Sequence, residues 1–272
     1  MSYRPPADEK PEITDHVESS RAPLLEHLNE LRGRLIKSIL ALSVATVISF
    51  FFAEDIYGLL VHPFATVAEE VRGSQLEFIF TAPMEYFFAQ LKLAVFAGLF
   101  LAFPVIAWQV YAFVAPGLYK SERGAFWPYL VMAPVLFALG AVFVYYLMLP
   151  MLARFTVSME QVEAAGTTIR MMPRVGDYLS LVMALMLAFG LSFQLPLVLT
   201  LLGRIGIVTA SMLAKGRKYA IVGILAFSAV FTPPDPMSQI LLAVPVYLLY
   251  EISIFCVKLI EKSAAKAESA TA

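Results

Sequence analysis

The stretch EYFFAQLKLAVFAGLFLAFPVIAWQVYAF, residues 85–113, decides the class of this protein. Only Gln90, Lys92 and Gln109 interrupt its apolar side chains. A helix needs about 20 such residues to cross the hydrocarbon core of a bilayer, and this run is longer than that. We therefore predict a membrane-spanning helix that is tilted, kinked near Pro104 or extended into water.

The composition of the whole chain also favours a membrane protein. Hydrophobic residues make up 60% of the 272 positions and charged residues only 15%, against roughly half and a quarter in soluble domains. The mean hydropathy of +0.75 leaves too little polar surface to cover a water-soluble globule. The formal net charge of −1 provides no global field that would attract nucleic acid. A single cysteine, Cys256, excludes an internal disulfide and a Cys-based metal site.

Further apolar runs divide the rest of the chain into spans and loops. The first run begins too late and is too long for a cleavable signal peptide, so we expect a retained helix. The predicted fold is an all-α, polytopic membrane protein with six transmembrane helices, the last two of them short. The predicted spans are 35–53, 85–113, 126–152, 178–202, 219–231 and 237–257, in a membrane domain of residues 23–260 between tails at 1–22 and 261–272.

The predicted fifth span, 219–231, is too short for an ordinary crossing. Its 13 residues make a helix of about 20 Å, roughly 10 Å less than the bilayer core. The turn TPPDP at 232–236 joins it to the sixth run. The pair forms either a re-entrant hairpin or a short span that requires a locally thin membrane. We favour the short span, because six crossings return the C-terminus to the basic side of the chain.

The distribution of basic residues predicts the orientation of these spans. Of the 20 Lys and Arg residues, 15 lie in the N-terminal segment through Lys37, in the loops at 115–123 and 204–218, and after the sixth span. Four lie in the loops on the opposite side, and Lys92 lies within a span. Because basic residues accumulate on the cytoplasmic side, both termini are predicted to be cytoplasmic.

The segment before the first span has the pattern of an amphipathic helix at the cytoplasmic interface. Leu24, Leu28, Leu31 and Leu35 recur at helical spacing. Glu30 and Arg34 are four residues apart on this helix, so spacing by itself indicates a surface salt bridge and positive-inside anchoring.

This segment also carries a family resemblance. The sequence HLNELRGRL at 27–35 resembles the N-terminal signature of TatC, the multi-spanning subunit of the twin-arginine protein translocase. The resemblance covers about residues 22–260 and recurs in several motifs in the same order. These are FVAPGLYKSER at 113–123, YLS at 178–180, FGLSFQLP at 189–196 and TPPD at 232–235.

The resemblance implies a signal-peptide receptor without enzymatic activity or cofactor. TatC-like proteins bind signal peptides with two consecutive arginines and help export folded proteins using the proton-motive force. The recognition carboxylates of the family match Glu30 and Glu122. Arg32, Arg34 and Lys120 also match, and they either keep the carboxylates ionised or contact polar parts of the signal peptide. The implied location is the bacterial inner membrane, and the implied receptor complex is homo-oligomeric.

The resemblance also implies a docking surface for TatA-like and TatB-like single-span partners on the last two spans. Ala226 contributes to a set of small side chains there. Gln239 either hydrogen-bonds a partner or makes an intramolecular contact. Asp235 is expected in the external turn between the two spans.

Two further polar residues lie within the predicted spans. Gln194 stands where many TatC-like sequences have Glu, which weakens any mechanism that requires a titrating acid at that position. Glu251 approaches the cytoplasmic end of the sixth span, where a charged side chain can snorkel into the interface.

Two other classes of function fit the sequence less well. A secondary transporter needs charged or broken half-helices near the midplane of both halves, whereas Lys92 is the one charge predicted within the middle of a span. An intramembrane metalloprotease needs a motif such as His-Glu-x-x-His, which this sequence lacks.

Overall fold

The computed structural model of the chain describes residues 13–73, 77–114, 127–164, 167–169, 172–232 and 236–271. These residues form a bundle of helices with one small hairpin, in agreement with the predicted fold class. The elements are α1 (Ile13–Phe50), α2 (Ala53–Arg72), α3 (Glu85–Val114), α4 (Trp127–Phe143), a π-helical turn (Val144–Met148), α5 (Leu149–Ser158), β1 (Gln161–Ala164), β2 (Thr167–Ile169), α6 (Val175–Ser192), α7 (Leu195–Arg204), α8 (Ala210–Phe231) and α9 (Pro236–Thr271).

Helix α1 is one continuous helix of 38 residues, about 57 Å long. It contains the predicted amphipathic segment and most of the first predicted span, and no break separates the two. Gly33 lies inside the helix, and one glycine costs only about 1 kcal/mol at such a position. The amphipathic segment and the first span therefore lie on a common axis.

Helix α2 was not predicted, because it lies between the predicted spans 35–53 and 85–113, in a segment whose acidic residues are typical of a polar loop. One of its faces is apolar at four-residue spacing, and Leu60, Phe64 and Ala68 on that face are buried. The helix is capped by Gly73, whose φ of 67° lies in the left-handed region that favours glycine. Its N–H donates to the carbonyl oxygen of Glu69. Helix α2 packs against α5 and α3.

The predicted fourth span consists of two helices, α6 and α7, that meet at Phe193 and Gln194. Pro196 lies in the first turn of α7, where its missing N–H is tolerated. Pro104, by contrast, lies inside α3 without ending it. The π-helical turn joins α4 to α5, and the third span continues through both helices to Ser158.

Helices α8 and α9 form an antiparallel pair. Helix α8 begins at Ala210, nine residues before the predicted fifth span, and is about 33 Å long. Thr209 caps this start, because its hydroxyl accepts a hydrogen bond from the Met212 N–H at 3.2 Å. The basic segment at 210–218 is therefore helical, although only the second half of α8 is apolar.

Five segments of the described chain are long and apolar enough to cross a membrane. They are His27–Phe50, Glu85–Phe113, Trp127–Ser158, Val175–Arg204 and Ser238–Ser263. They match the predicted spans one to four and six. The fifth span remains a prediction, because the basic first half of α8 lowers its apolarity.

The core surrounds α6, which contacts α3, α4, α8 and α9. A Cβ built on Gly140 of α4 would lie 2.7 Å from the Phe189 carbonyl oxygen of α6. A Cβ built on Gly98 of α3 would similarly lie 2.7 Å from the Thr46 backbone nitrogen of α1. These two glycines permit the closest backbone approaches in their respective regions.

Candidate functional site

The Glu30 carboxylate lies near the middle of α1 and is partly accessible, with 33% of its side chain exposed. Its Oε1 accepts hydrogen bonds from both Nε and Nη2 of Arg34, the former at 3.0 Å. Its Oε2 lies 3.7 Å from Nδ1 of His27, beyond hydrogen-bond distance. The predicted pair therefore forms, and it leaves one carboxylate oxygen without a close donor among the described side chains.

A ring contact ties this part of α1 to the end of α3. The imidazole of His27 stacks on Phe113 with centroids 4.3 Å apart and an interplanar angle of 14°. Phe113 lies two residues before the predicted loop 115–123, which carries Lys120 and Glu122, and both of these residues lie outside the described residues. Arg32 is exposed on α1. The structure therefore brings Glu30 and Arg34 together, beside the point where the chain enters that loop.

Gln194 connects the junction of α6 and α7 to α4. Its Nε2 donates to the Ala133 carbonyl oxygen at 3.0 Å. An amide can make this hydrogen bond at any pH, whereas an ionised carboxylate has no proton to donate. Gln194 thus acts as a neutral link between two spans.

Gln239 makes an intramolecular contact, which was one of its two predicted roles. Its Nε2 donates to the Leu225 carbonyl oxygen of α8 at 3.0 Å. Ala226 is exposed on the same helix. Asp235, at the turn between α8 and α9, lies outside the described residues.

Glu251 pairs with a cation of the adjacent helix and does not simply snorkel. Arg217 of α8 donates from Nε to Oε1 at 2.7 Å and from Nη2 to Oε2 at 2.9 Å. The Tyr247 hydroxyl donates to the same Oε1 at 2.8 Å. The hydrogen bond to Glu251 raises the pKa of the Arg217 guanidinium, which stays charged. This fork geometry fixes α8 against α9.

A third ion pair joins two helix starts at the opposite end of the bundle, and the sequence did not predict it. Arg174 donates to Glu85 Oε2 at 3.2 Å. The same oxygen accepts the Thr81 N–H at 2.9 Å. Glu85 begins α3 and follows Thr81 by four residues. This spacing is close to that of a capping box, so the sequence could have suggested the hydrogen bond between Thr81 and Glu85.

Tyr178, part of one of the sequence motifs, serves packing. Its hydroxyl donates to the Leu60 carbonyl oxygen of α2 at 2.8 Å. Its ring lies against Phe64 and Phe78. No group of three or more His, Cys, Asp or Glu side chains within the described residues is placed to hold a metal ion.

The chain is similar to known proteins of one family. The family model of the Sec-independent protein translocase protein (TatC) matches residues 26–245. The chain is 43% identical over 250 residues to the TatC protein of Magnetococcus marinus, covering 92% of this chain and 89% of that protein. It is 40% identical over 233 residues to the TatC protein of Escherichia coli K12, covering 86% and 87% respectively.

The fold is similar to a solved structure as well. The crystal structure of a twin-arginine translocase receptor, TatC, superposes with a TM-score of 0.76 at 38% sequence identity. The match covers 86% of this chain and 99% of that structure.

Proposed function

The chain belongs to the TatC family of Sec-independent protein translocase proteins, and on this premise we propose that it is the receptor for twin-arginine signal peptides. It is a protein-translocase subunit and not an enzyme. In this role it binds an Arg-Arg signal peptide on the cytoplasmic side and helps to export the folded protein attached to it. The free energy for export comes from the proton-motive force.

The observation that supports this role is the half-occupied carboxylate of Glu30. Arg34 contacts only Oε1, and Oε2 has no donor within hydrogen-bond distance among the described side chains. A guanidinium presents a planar fork of N–H donors to a carboxylate, whereas a lysine ammonium is a point charge. One arginine of the signal peptide binds at Oε2, while Arg34 keeps the carboxylate oriented.

We assign the second arginine to Glu122. The stacking of His27 on Phe113 brings α1 close to the start of the loop that contains Glu122 and Lys120. Two carboxylates from different elements discriminate Arg-Arg from Lys-Lys better than one carboxylate does, because each carboxylate recognises the guanidinium group of one arginine. Arg32 and Lys120 keep the surrounding surface cationic and limit repulsion between the two carboxylates.

The experiment is photocrosslinking from position 33, where Gly33 faces open space next to Glu30. A purified signal peptide with Arg-Arg should crosslink to this position, and a matched Lys-Lys peptide should not. Glu30→Gln should remove the Arg-Arg crosslink, while Asn29→Ala, an exposed neighbour on α1, should keep it. Equal crosslinking of both peptides would contradict the proposal.

We also propose that both termini lie in the cytoplasm of a bacterium, with six spans in the inner membrane. In a Cys256→Ser background, an impermeant reagent added from outside should label cysteines at positions 72 and 170. Labelling at 215 or 266 would contradict this orientation. Labelling of position 235 from the cytoplasmic side only would favour the re-entrant alternative for 219–231.

The partners we propose are TatA-like and TatB-like single-span proteins, docked on α8 and α9. Gln239 uses its amide N–H for Leu225, and its amide oxygen has no donor among the described residues. An apolar groove of about 270 Å³ lies beside it, between the two helices. A partner helix that carries a polar donor fits this combination, because association in lipid depends on close packing and polar contacts.

Disulfide crosslinking between cysteines along α8 and α9 and a TatB-like partner tests this surface. Ala226→Trp should reduce crosslinking more than Gln239→Leu, because it blocks close approach over a helix face. Crosslinks concentrated on α3 or α4 would place the partner elsewhere. The proposed homo-oligomeric receptor complex is tested by the mass of the complex after mild solubilisation.

A further inference from the structure

A charged cavity lies between the first turns of α3 and α6, at the opposite end of the bundle from Glu30. It has a volume of about 310 Å³, close to the lower end of the range for small-ligand sites. Glu85 and Lys92 of α3 line it, together with Arg174 just before α6. Its apolar lining includes Met84, Phe88 and Met183.

The carboxylate that lines this cavity is paired with Arg174 through one of its oxygens. Oε2 of Glu85 accepts the N–H groups of Thr81 and Ala82, the Thr81 hydroxyl and Nη2 of Arg174, all within 3.3 Å. Only 11% of the Glu85 side chain is exposed. The charge of Glu85 is thus balanced by Arg174, and the two side chains leave Lys92 as an additional positive charge in the lining.

Lys92 lacks a charge partner in this part of the structure. No carboxylate among the described residues lies within 4.0 Å of it, although it falls inside the apolar span Glu85–Phe113. It is exposed on the outside of the bundle, where the exposed Phe88 and Leu91 indicate contact with lipid. A cation at membrane depth is expensive without an anion or a route to the interface.

The direction of α3 supplies that route. Lys92 lies seven residues after Glu85, about 10 Å along the helix axis. Helical side chains lean toward the N-terminus of their helix, so the long stem of Lys92 extends back toward Glu85 and Arg174. Its ammonium can then reach the depth of the lipid headgroups while its methylene groups stay in the apolar region.

We propose that this cavity binds the phosphodiester headgroup of an anionic glycerophospholipid. Lys92 and Arg174 contact the phosphate oxygens, and an acyl chain runs along Phe88 and Met183. A zwitterionic headgroup fits less well, because its ammonium group would lie beside the cations of Lys92 and Arg174. The inference does not depend on the signal-peptide site.

The test is a lipid titration of the full-length protein in detergent, followed by native mass spectrometry. The probes are phosphatidylglycerol and phosphatidylcholine with identical acyl chains. We expect one tightly bound phosphatidylglycerol, preferred about fivefold to tenfold over phosphatidylcholine. Lys92→Gln should reduce this preference about fivefold, and Lys92→Arg should keep it. Lys258→Gln, which changes an exposed lysine of α9, is the matched control and should have no effect.

Several outcomes would overturn the proposal. One is equal binding of the two lipids by the unmodified chain. Another is an equal loss of the preference for phosphatidylglycerol in Lys92→Gln and Lys258→Gln. Complete displacement of phosphatidylglycerol by millimolar glycerol phosphate would indicate a site for a water-soluble phosphate. A photocrosslinker at position 88 in intact membranes should capture phospholipid. Capture of a membrane protein instead would assign the cavity to a partner's carboxylate.

Discussion

Helix α1 and the α6–α7 span are held in the protein in very different ways. In the most apolar 18-residue stretch of each segment, only 11% is buried for His27–Phe50, whereas 50% is buried for Val175–Arg204. Helix α1 packs mainly against α3, whereas α6 contacts four other helices. The chain thus combines a rigid body around α6 with an arm, α1, that carries Glu30 and rests on one neighbour.

This difference separates the two tasks that a receptor in a membrane performs. The body maintains the fold, and its polar residues, such as Gln194, are used in internal hydrogen bonds. The arm presents a carboxylate that is half-occupied and accessible. The same kind of substitution should therefore affect stability in the body and recognition in the arm.

The largest effect on stability is expected for Gly140→Ala in the body. The new Cβ would lie 2.7 Å from the Phe189 carbonyl oxygen, and both α4 and α6 are fixed by other neighbours. Overpacking of this kind should cost about 3 kcal/mol. The midpoint of thermal unfolding in detergent measures the loss. Gly223→Ala, at a glycine of α8 with nothing within 4 Å, is the control and should raise the midpoint slightly, because alanine is the better helix former.

Gly98→Ala applies the same change to the arm and should destabilise the protein less, by about 1–2 kcal/mol. Its Cβ would lie 2.7 Å from the Thr46 backbone nitrogen, but α1 can move away from α3 because few other contacts hold it. Spin labels on α1 and α3 should report an increased separation, together with weaker signal-peptide binding.

Gly33→Ala is the matched control in the arm, because nothing lies within 4 Å of its Cβ position. If Gly98→Ala destabilised the protein as much as Gly140→Ala, the distinction between arm and body would be wrong.

Gln194→Leu should destabilise the body by about 1 kcal/mol, since it removes one interhelical hydrogen bond. Gln194→Glu restores a donor only when the carboxyl group is protonated. Its stability should therefore be highest at about pH 5 and fall as the pH rises to about 8. Gln109→Leu is the control, because Gln109 makes no hydrogen bond to another described residue. A pH-independent Gln194→Glu variant would contradict this role.

The smallest effect is expected for Gln239→Leu at the edge of the body. Loss of its hydrogen bond to Leu225 and of one polar contact to a partner should weaken docking by about 0.6 kcal/mol. The yield of crosslinks to a TatB-like partner measures this change. Complete loss of docking would mean that Gln239 contributes more than one polar contact.

The apolar runs predicted most of the fold, because length and apolarity are sufficient to identify a spanning helix. They failed where helices are not uniformly apolar. Helix α2 carries acidic residues on its outer face, and α8 begins in a basic segment. In both cases, helical periodicity continues through the polar residues, and a run of consecutive apolar residues does not reveal that periodicity.

The site was predicted less completely, since pairing depends on tertiary structure. The contact between Glu30 and Arg34 follows from a spacing of four residues within one helix. Arg217 and Glu251 are 34 residues apart, and Arg174 and Glu85 are 89 apart. Only the antiparallel packing of α8 with α9, and the meeting of α3 with α6, brings these partners together.

The central claim is that Glu30 on the arm recognises arginine without contributing to the body. The direct measurement is the ratio of equilibrium affinities for an Arg-Arg and a Lys-Lys signal peptide, using the protein in nanodiscs. In the unmodified chain the ratio should exceed about tenfold, and Glu30→Gln or Glu122→Gln should bring it close to one. The thermal midpoint of Glu30→Gln should stay unchanged, as should both quantities in Asn29→Ala. An unchanged ratio in both glutamate variants would contradict the account.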